Sequence, residues 1–159
     1  MADIHSEDFA VIINAAAGEG WSRAMGLRLV RATREEVAAE MTIQPCHLQA
    51  YGIVHGGVYS GIIESLASIG AAIHAMAEGK TVVGLENHTS FLRAVREGTL
   101  HAVATPLTRG RRSPVWECSI RDDQQRLVAT GRVRLLALDP GAEVAGAKVA
   151  VASGGGKVD

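Results

Sequence analysis

The chain is expected to adopt an α+β fold in which one long central helix is wrapped by an antiparallel sheet of about six strands, with a short N-terminal helix. Three observations lead there. Residues 57 to 78, GVYSGIIESLASIGAAIHAMAE, are apolar or small on every face, so the helix they form has to be enclosed. The segments on both sides of it alternate apolar and polar residues with a period of two, as half-buried strands do. Short polar connections separate the later segments, which favours antiparallel neighbours.

Taken in order, residues 7 to 18, EDFAVIINAAAG, space their apolar side chains for a short amphipathic helix, with Ser6 or Asp8 as cap and Gly18 as stop. From Met25 the period becomes two. Met25, Leu27 and Leu29 form one strand and, after the polar turn TREE, Val37, Ala39, Met41 and Ile43 form the second strand of a hairpin. Pro45 ends it, and the polar loop CHLQAYG leads into the long helix, which runs for about six turns to the stop residue Gly79. Four extended segments follow at 81–94, 100–107, 114–122 and 126–138, joined by REG, RGRRS and DDQQ. In the third, Trp116, Cys118 and Ile120 share a face; in the last, Val133 and Leu135 oppose Arg132 and Arg134. From Pro140 the chain is Gly, Ala and Val with scattered charge and no period, the composition of a flexible tail at 140–159 behind a single domain at 1–139.

A chain of 159 residues with 47% hydrophobic content closes one core. Its 16 basic and 17 acidic residues create no field that would attract nucleic acid or an anionic membrane. Cys46 and Cys118 stand in no metal-ligand or redox spacing, so neither a zinc site nor a disulfide framework is expected, and a reducing, cytoplasmic setting fits. The first residues are acidic and lack the basic region of a secretory signal.

The long helix is apolar enough for a membrane span, but it carries Glu64 and His74 and is flanked by strands whose apolar faces need covering. Inside a wrapped helix an unpaired carboxylate costs several kcal/mol, so Glu64 belongs at a subunit boundary or in a pocket. Ser60, Gly61, Glu64, Ser68 and Ala72 recur at about one turn and form a stripe of small or polar residues. Such a stripe leaves room for a ligand, or lets another backbone approach closely with Glu64 paired to an Arg. The turn before the helix favours the ligand. His55-Gly56-Gly57 supplies a helix N-terminus with free N–H groups, and its glycines admit a substrate carbonyl.

With these residues in view, the chain resembles the hot-dog-fold acyl-CoA thioesterases of the phenylacetate-degradation type, in particular the 4-hydroxybenzoyl-CoA thioesterase branch whose acid is glutamate. The resemblance rests on GIVHGGVYSGIIESLAS, VGLENHTSFLRAVREG and VWECSIRDDQQRLVAT and covers roughly residues 24 to 138. It implies that the Gly56 N–H polarises the thioester carbonyl and that Glu64 is nucleophile or general base, acting from the opposite subunit of a dimer. It further implies that Gln49 contacts the thioester oxygen, that Ser68 orients water or the carboxylate where the family often has threonine, and that His55 shapes the turn.

Each assignment competes with a plainer one. Gln49 is otherwise a solvated loop amide, and Ser68 a small residue for close packing. Tyr51, Tyr59 and Phe91 line an aryl pocket or merely fill core. His88 sits behind the reacting groups, or is a core or interface histidine. Arg111 and Arg112 capture CoA phosphates or belong to a solvated hairpin. Cys46 beside His47 lacks a third orienting group and is set aside as a thiol nucleophile. The activity expected is hydrolysis of an acyl-CoA, possible aryl-CoA included, with CoA as part of the substrate and no metal or redox cofactor, in a homodimer or a dimer of dimers. Two other readings are dehydration of a 3-hydroxyacyl thioester, for which the helix entrance lacks the expected proline-rich loop, and a non-catalytic acyl-CoA binding module.

Overall fold

The computed structural model describes residues 7–16 and 20–149. The expected caps and stops Ser6 and Gly18 lie outside that range, as does the tail beyond residue 149.

Helix α1 (Ala10–Ala16) is tied at both ends to strand β1 (Arg28–Ala32). Asp8 Oδ1 accepts the N–H of Ala10 at 2.9 Å and that of Ala32 at 2.9 Å. Asn14 bonds both backbone groups of Leu29. Those two backbone donors, Ala10 first and Ala32 second, hold the Asp8 carboxyl below its ordinary value. A lowered folded value means stability that is present above the unfolded value and lost as pH falls through the folded one. Asp8→Ala is therefore expected to lower the thermal midpoint by a few degrees at most at pH 7, and the difference should close as both proteins are melted at progressively lower pH in the acid range.

A four-residue helix, α2 (Trp21–Ala24), precedes the expected strand, and Met25, where the period-two pattern begins, is its C-cap. Gly26, at φ +65°, turns the chain from α2 into β1 in a conformation that a side chain disfavours, so the strand begins only at Arg28. Leu27 and Leu29 are nevertheless both buried, as the alternation required. Strand β2 (Val37–Thr42) pairs with β1 in the expected hairpin.

The long helix, α3, spans Gly56–Met76, and Gly79 at φ +66° closes it by donating to Met76 O. Its inner side, including Ile62, Ile63, Leu66, Ala67 and Ala71, is buried against the sheet. Each large apolar side chain so buried contributes about 1.5–3 kcal/mol. Gly61, Glu64, Ser65, Ser68 and Ala72 are only half-buried and form the other side. The helix is long and apolar enough to cross a membrane, but half of its most apolar window is buried inside the protein.

Strands β3 (Thr81–Phe91), β4 (Thr99–Thr108), β5 (Val115–Arg121) and β6 (Leu127–Leu138) complete one six-stranded antiparallel sheet in the order β1-β2-β4-β5-β6-β3. Trp116, Cys118 and Ile120 face inward, as do Val133 and Leu135, while Arg132 and Arg134 are exposed. Two of the three expected hairpins form, β4 with β5 and β5 with β6. The third does not: β3 pairs with β6 and lies at the sheet edge, far from β4. REG is only the end of that connection. Leu92 and Arg93 both donate to Val128 O as the chain leaves the sheet, and Val95 is buried and accepts the Val54 N–H before β4 starts.

Strands β7 (Glu143–Val144) and β8 (Ala147–Lys148) form a small hairpin. Ala145 and Gly146 both have positive φ, the pattern of a two-residue turn matched to strand twist.

Candidate active site

The entrance of α3 is built by a short folded loop. Pro45–His47 form a 3₁₀ turn in which the Gln44 N–H donates to His47 Nδ1 at 3.0 Å. His47 O then accepts the His55 N–H, and Gln49 N–H donates to Ile53 O, so the loop returns to the helix start with Gln49 at its side. Arg96 pins the tip by donating to the carbonyls of Tyr51 and Gly52. The Cys46–His47 pair is not a nucleophilic dyad: Cys46 is exposed, while the His47 ring is buried with Nδ1 engaged by Gln44.

His55 caps the helix, and its Nδ1 accepts the Gly57 N–H at 2.9 Å. That bond occupies the Gly57 N–H. Val58 N–H donates to His55 O. The Gly56 N–H has no acceptor among the described residues, so the first turn keeps a donor at its positive end. It opens on a cavity of about 240 Å³ lined by Gln49, Gly56, Tyr59, Phe91 and Arg93, among others. A Cβ on Gly56 would sit 2.8 Å from the Phe91 ring.

Tyr59 is both core and cavity wall. It is buried, its ring centroid lies 6.1 Å from that of Phe91, and its hydroxyl is buried without a partner among the described residues. Burial pushes the phenol up to about 12, so it stays neutral across the working pH range. Tyr51 is 79% exposed and does not line the cavity.

Glu64 lies on the half-buried side of α3. Its Oε1 accepts from Ser68 Oγ at 3.3 Å and its Oε2 from Asn87 Nδ2 at 2.9 Å. Gly84 on β3 lies so close to Oε1 that a Cβ there would collide with it. Within one protomer, no Lys, Arg or His among the described residues forms an ion pair with Glu64. Glu64 does not line the Gly56 cavity of its own protomer. Eight residues of helix separate the two by about 12 Å along the axis. One protomer thus presents two separate candidate half-sites, a backbone donor at Gly56 beside Gln49 and a carboxylate at Glu64 beside Ser68.

Other expected site residues lie apart. His88 follows Asn87 on β3, is exposed, and by strand alternation faces away from Glu64. Arg111 borders a small cleft with His74, Lys80 and Arg109 at the other end of α3, roughly 27 Å from Gly56 along the helix. Arg112 follows it in the exposed β4–β5 loop. His74 there is held below its ordinary value, first by burial and then by the charges of Arg109 and Arg34. The residues passed over in the sequence were Asn87, Gly84 and Arg93. Arg93 is the cation that borders the Gly56 cavity.

Comparison with known proteins bears on this geometry. The sequence profile described as the thioesterase superfamily matches residues 51–129, from the turn before α3 into β6. Rv1847 of Mycobacterium tuberculosis, which carries a provisional esterase designation, is 41% identical over 117 residues, covering 72% of this chain and 84% of its own. Its solved structure matches at a TM-score of 0.74 with 40% identity, over 75% of this chain and 96% of that one. The proofreading thioesterase EntH of Cronobacter turicensis is 34% identical over 109 residues, 69% of this chain and 79% of EntH. The solved thioesterase HI1161 of Haemophilus influenzae, 28% identical, matches at a TM-score of 0.79 over 85% of this chain and 94% of that chain.

Proposed function

Because the chain belongs to the thioesterase superfamily of hot-dog thioester hydrolases, we propose that its substrate is an acyl-CoA, cleaved to a carboxylic acid and free CoA with Glu64 as the reacting carboxylate. The observation that carries this reading is the pairing of an unengaged Gly56 N–H in a cavity with a carboxylate held only by neutral donors. The N–H, reinforced by the helix dipole, suits the oxyanion that forms as the carbonyl is attacked. Gln49 lines the same cavity and supplies a second amide. Glu64 either takes a proton from the attacking water or attacks the carbonyl itself to form an anhydride that water opens. In both routes the C–S bond breaks, the thiolate leaves with a proton, and water supplies the acid's oxygen. No metal or redox cofactor is required by that balance. Arg93 beside the cavity suits the phosphates of CoA better than Arg111 or Arg112, which lie at the far end of the helix.

The 12 Å between the half-sites makes a homodimer part of the proposal, with Glu64 of one protomer meeting Gly56 of the other. Two features support it. The outer edge of β3 is unpaired and exposes Leu85, and the small-residue side of α3 is only half-buried. The glutamate-type branch of the family fits the same arrangement.

The test is a thiol-release assay on aryl-, short- and medium-chain acyl-CoA with product identification. Release of CoA with a free acid is expected. Enoyl-CoA from a 3-hydroxyacyl substrate, or saturable binding with no thiol, would replace the proposal by a dehydratase or a binding module. For the shared site, chains carrying Glu64→Gln and chains carrying Gly56→Val are each expected to be inactive. Co-expressed, they should recover a measurable share of wild-type turnover, because a mixed dimer retains one intact site. No recovery from mixed dimers isolated by two affinity tags would exclude the cross-subunit arrangement.

A further inference from the structure

We infer that Asn87 is a positioning residue for the Glu64 carboxylate, tethered by Thr89 and aimed by a β-bulge in β3; the inference rests on the Glu64 chemistry proposed above. The bulge is visible in the register with β6. Gly84 pairs with Leu135 and Glu86 with Arg134, leaving Leu85 without a partner. In a regular strand Gly84 and Asn87 would point to opposite faces. The extra residue brings both toward α3. Gly84 leaves the space that Glu64 Oε1 occupies, and Asn87 reaches Oε2. The same phase then continues through Thr89 to Phe91, whose ring reaches Gly56.

The Asn87 amide has only one satisfactory orientation. Its Nδ2 donates to Glu64 Oε2 at 2.9 Å and to Ser60 O at 3.1 Å, while its Oδ1 accepts from Thr89 Oγ1 at 2.7 Å. Turned over, it would set Oδ1 against a carboxylate and a carbonyl. The carboxylate and the Ser60 carbonyl, which only accept, thus select the donor-forward orientation, and the Thr89 hydroxyl tethers the remaining oxygen and holds the amide in place. With Ser68 on Oε1, each oxygen of Glu64 receives one neutral donor and keeps lone pairs for water or substrate. A neutral amide holds a flexible side chain in one pose. Asn87 is exposed in the protomer, so the contact is not explained by filling core.

Asn87→Leu keeps the size and removes the donor. It is expected to lower kcat by roughly tenfold to a hundredfold with KM within about threefold. Thr89→Val, which frees the amide without removing it, should lower kcat by about threefold to tenfold. Placed in the Glu64→Gln background, Asn87→Leu should change residual turnover by less than about twofold, since there is no carboxylate left to position. Unchanged kcat in Asn87→Leu, or an equal loss in both backgrounds, overturns the inference. Should Asn87→Leu fail to fold by circular dichroism, Thr89→Val decides, and an unchanged kcat there overturns it. Glu64→Gln separates the two levels: if it is inactive while Asn87→Leu is fully active, only the positioning role falls, whereas an active Glu64→Gln removes the function reading itself.

Discussion

Glu64→Gln is expected to lower kcat on every acyl-CoA cleaved by the parent by about a hundredfold or more, with little change in thermal midpoint. Glutamine has the length of glutamate, so it can still accept one bond through its oxygen. It cannot accept from both Ser68 and Asn87, because its amide nitrogen only donates, but the Ser68 hydroxyl can turn to accept from that nitrogen while the oxygen accepts from Asn87. What it loses is the charge and proton affinity that the reaction uses. Glu64→Ala should be as inactive. Glu64→Asp, which withdraws the carboxylate by one methylene from its two donors, should fall between. Thiol release measured under saturating substrate reads all three, and near-parental turnover in Glu64→Gln would remove Glu64 from the mechanism.

The largest stability effect is expected at the contact between α3 and β5. Trp116 is fully buried, and its ring fills the space where a Cβ on Gly70 would stand. Trp116→Ala leaves a cavity the size of an indole and should cost about 3–5 kcal/mol, a large part of the total stability of a domain of this size. Gly70→Ala acts in the opposite sense, by overfilling. Overpacking costs about 1–3 kcal/mol, partly offset by about 1 kcal/mol from the better helix propensity of alanine. The two sites are coupled: with a smaller ring at Trp116→Phe, the methyl of Gly70→Ala has room, so the double variant should be more stable than the sum of the singles predicts. Urea denaturation midpoints and slopes measure the cycle. Simple additivity would show that the ring and the glycine do not constrain each other.

The same contact shows why the long helix was readable in the chain. GVYSGIIESLASIGAAIHAM has no polar face, and a segment of that kind folds only where other elements cover it. The alternation at Trp116, Cys118 and Ile120 identified the covering face of β5. The half-sites were partly readable for a similar reason. His55-Gly56-Gly57 and Glu64 lie on one helix, where rise and rotation per residue turn spacing into position.

Less readable were features set by residues distant in sequence. REG looked like a hairpin turn, yet the partner of β3 is β6, because Leu92 and Arg93 bond to Val128 and draw the chain out of the sheet. Arg111 and Arg112 looked suited to CoA phosphates, and only packing showed the Arg111 cleft lying at the end of α3 remote from Gly56. Asn87 was visible within NHTSF, but a regular strand would have aimed it away from the helix, and a bulge is not written in residue type.

By itself, then, the chain determined what depends on near neighbours: the span of the enclosed helix, the faces of the strands, the capped glycine entrance, and the acid two turns beyond it. Tertiary structure alone decided the strand order, the one-residue slip in β3, and through it the hold of Asn87 on Glu64. The physical reason is range. Helix geometry and strand alternation act over a few residues, whereas register and partner choice are settled by contacts between segments far apart in the chain.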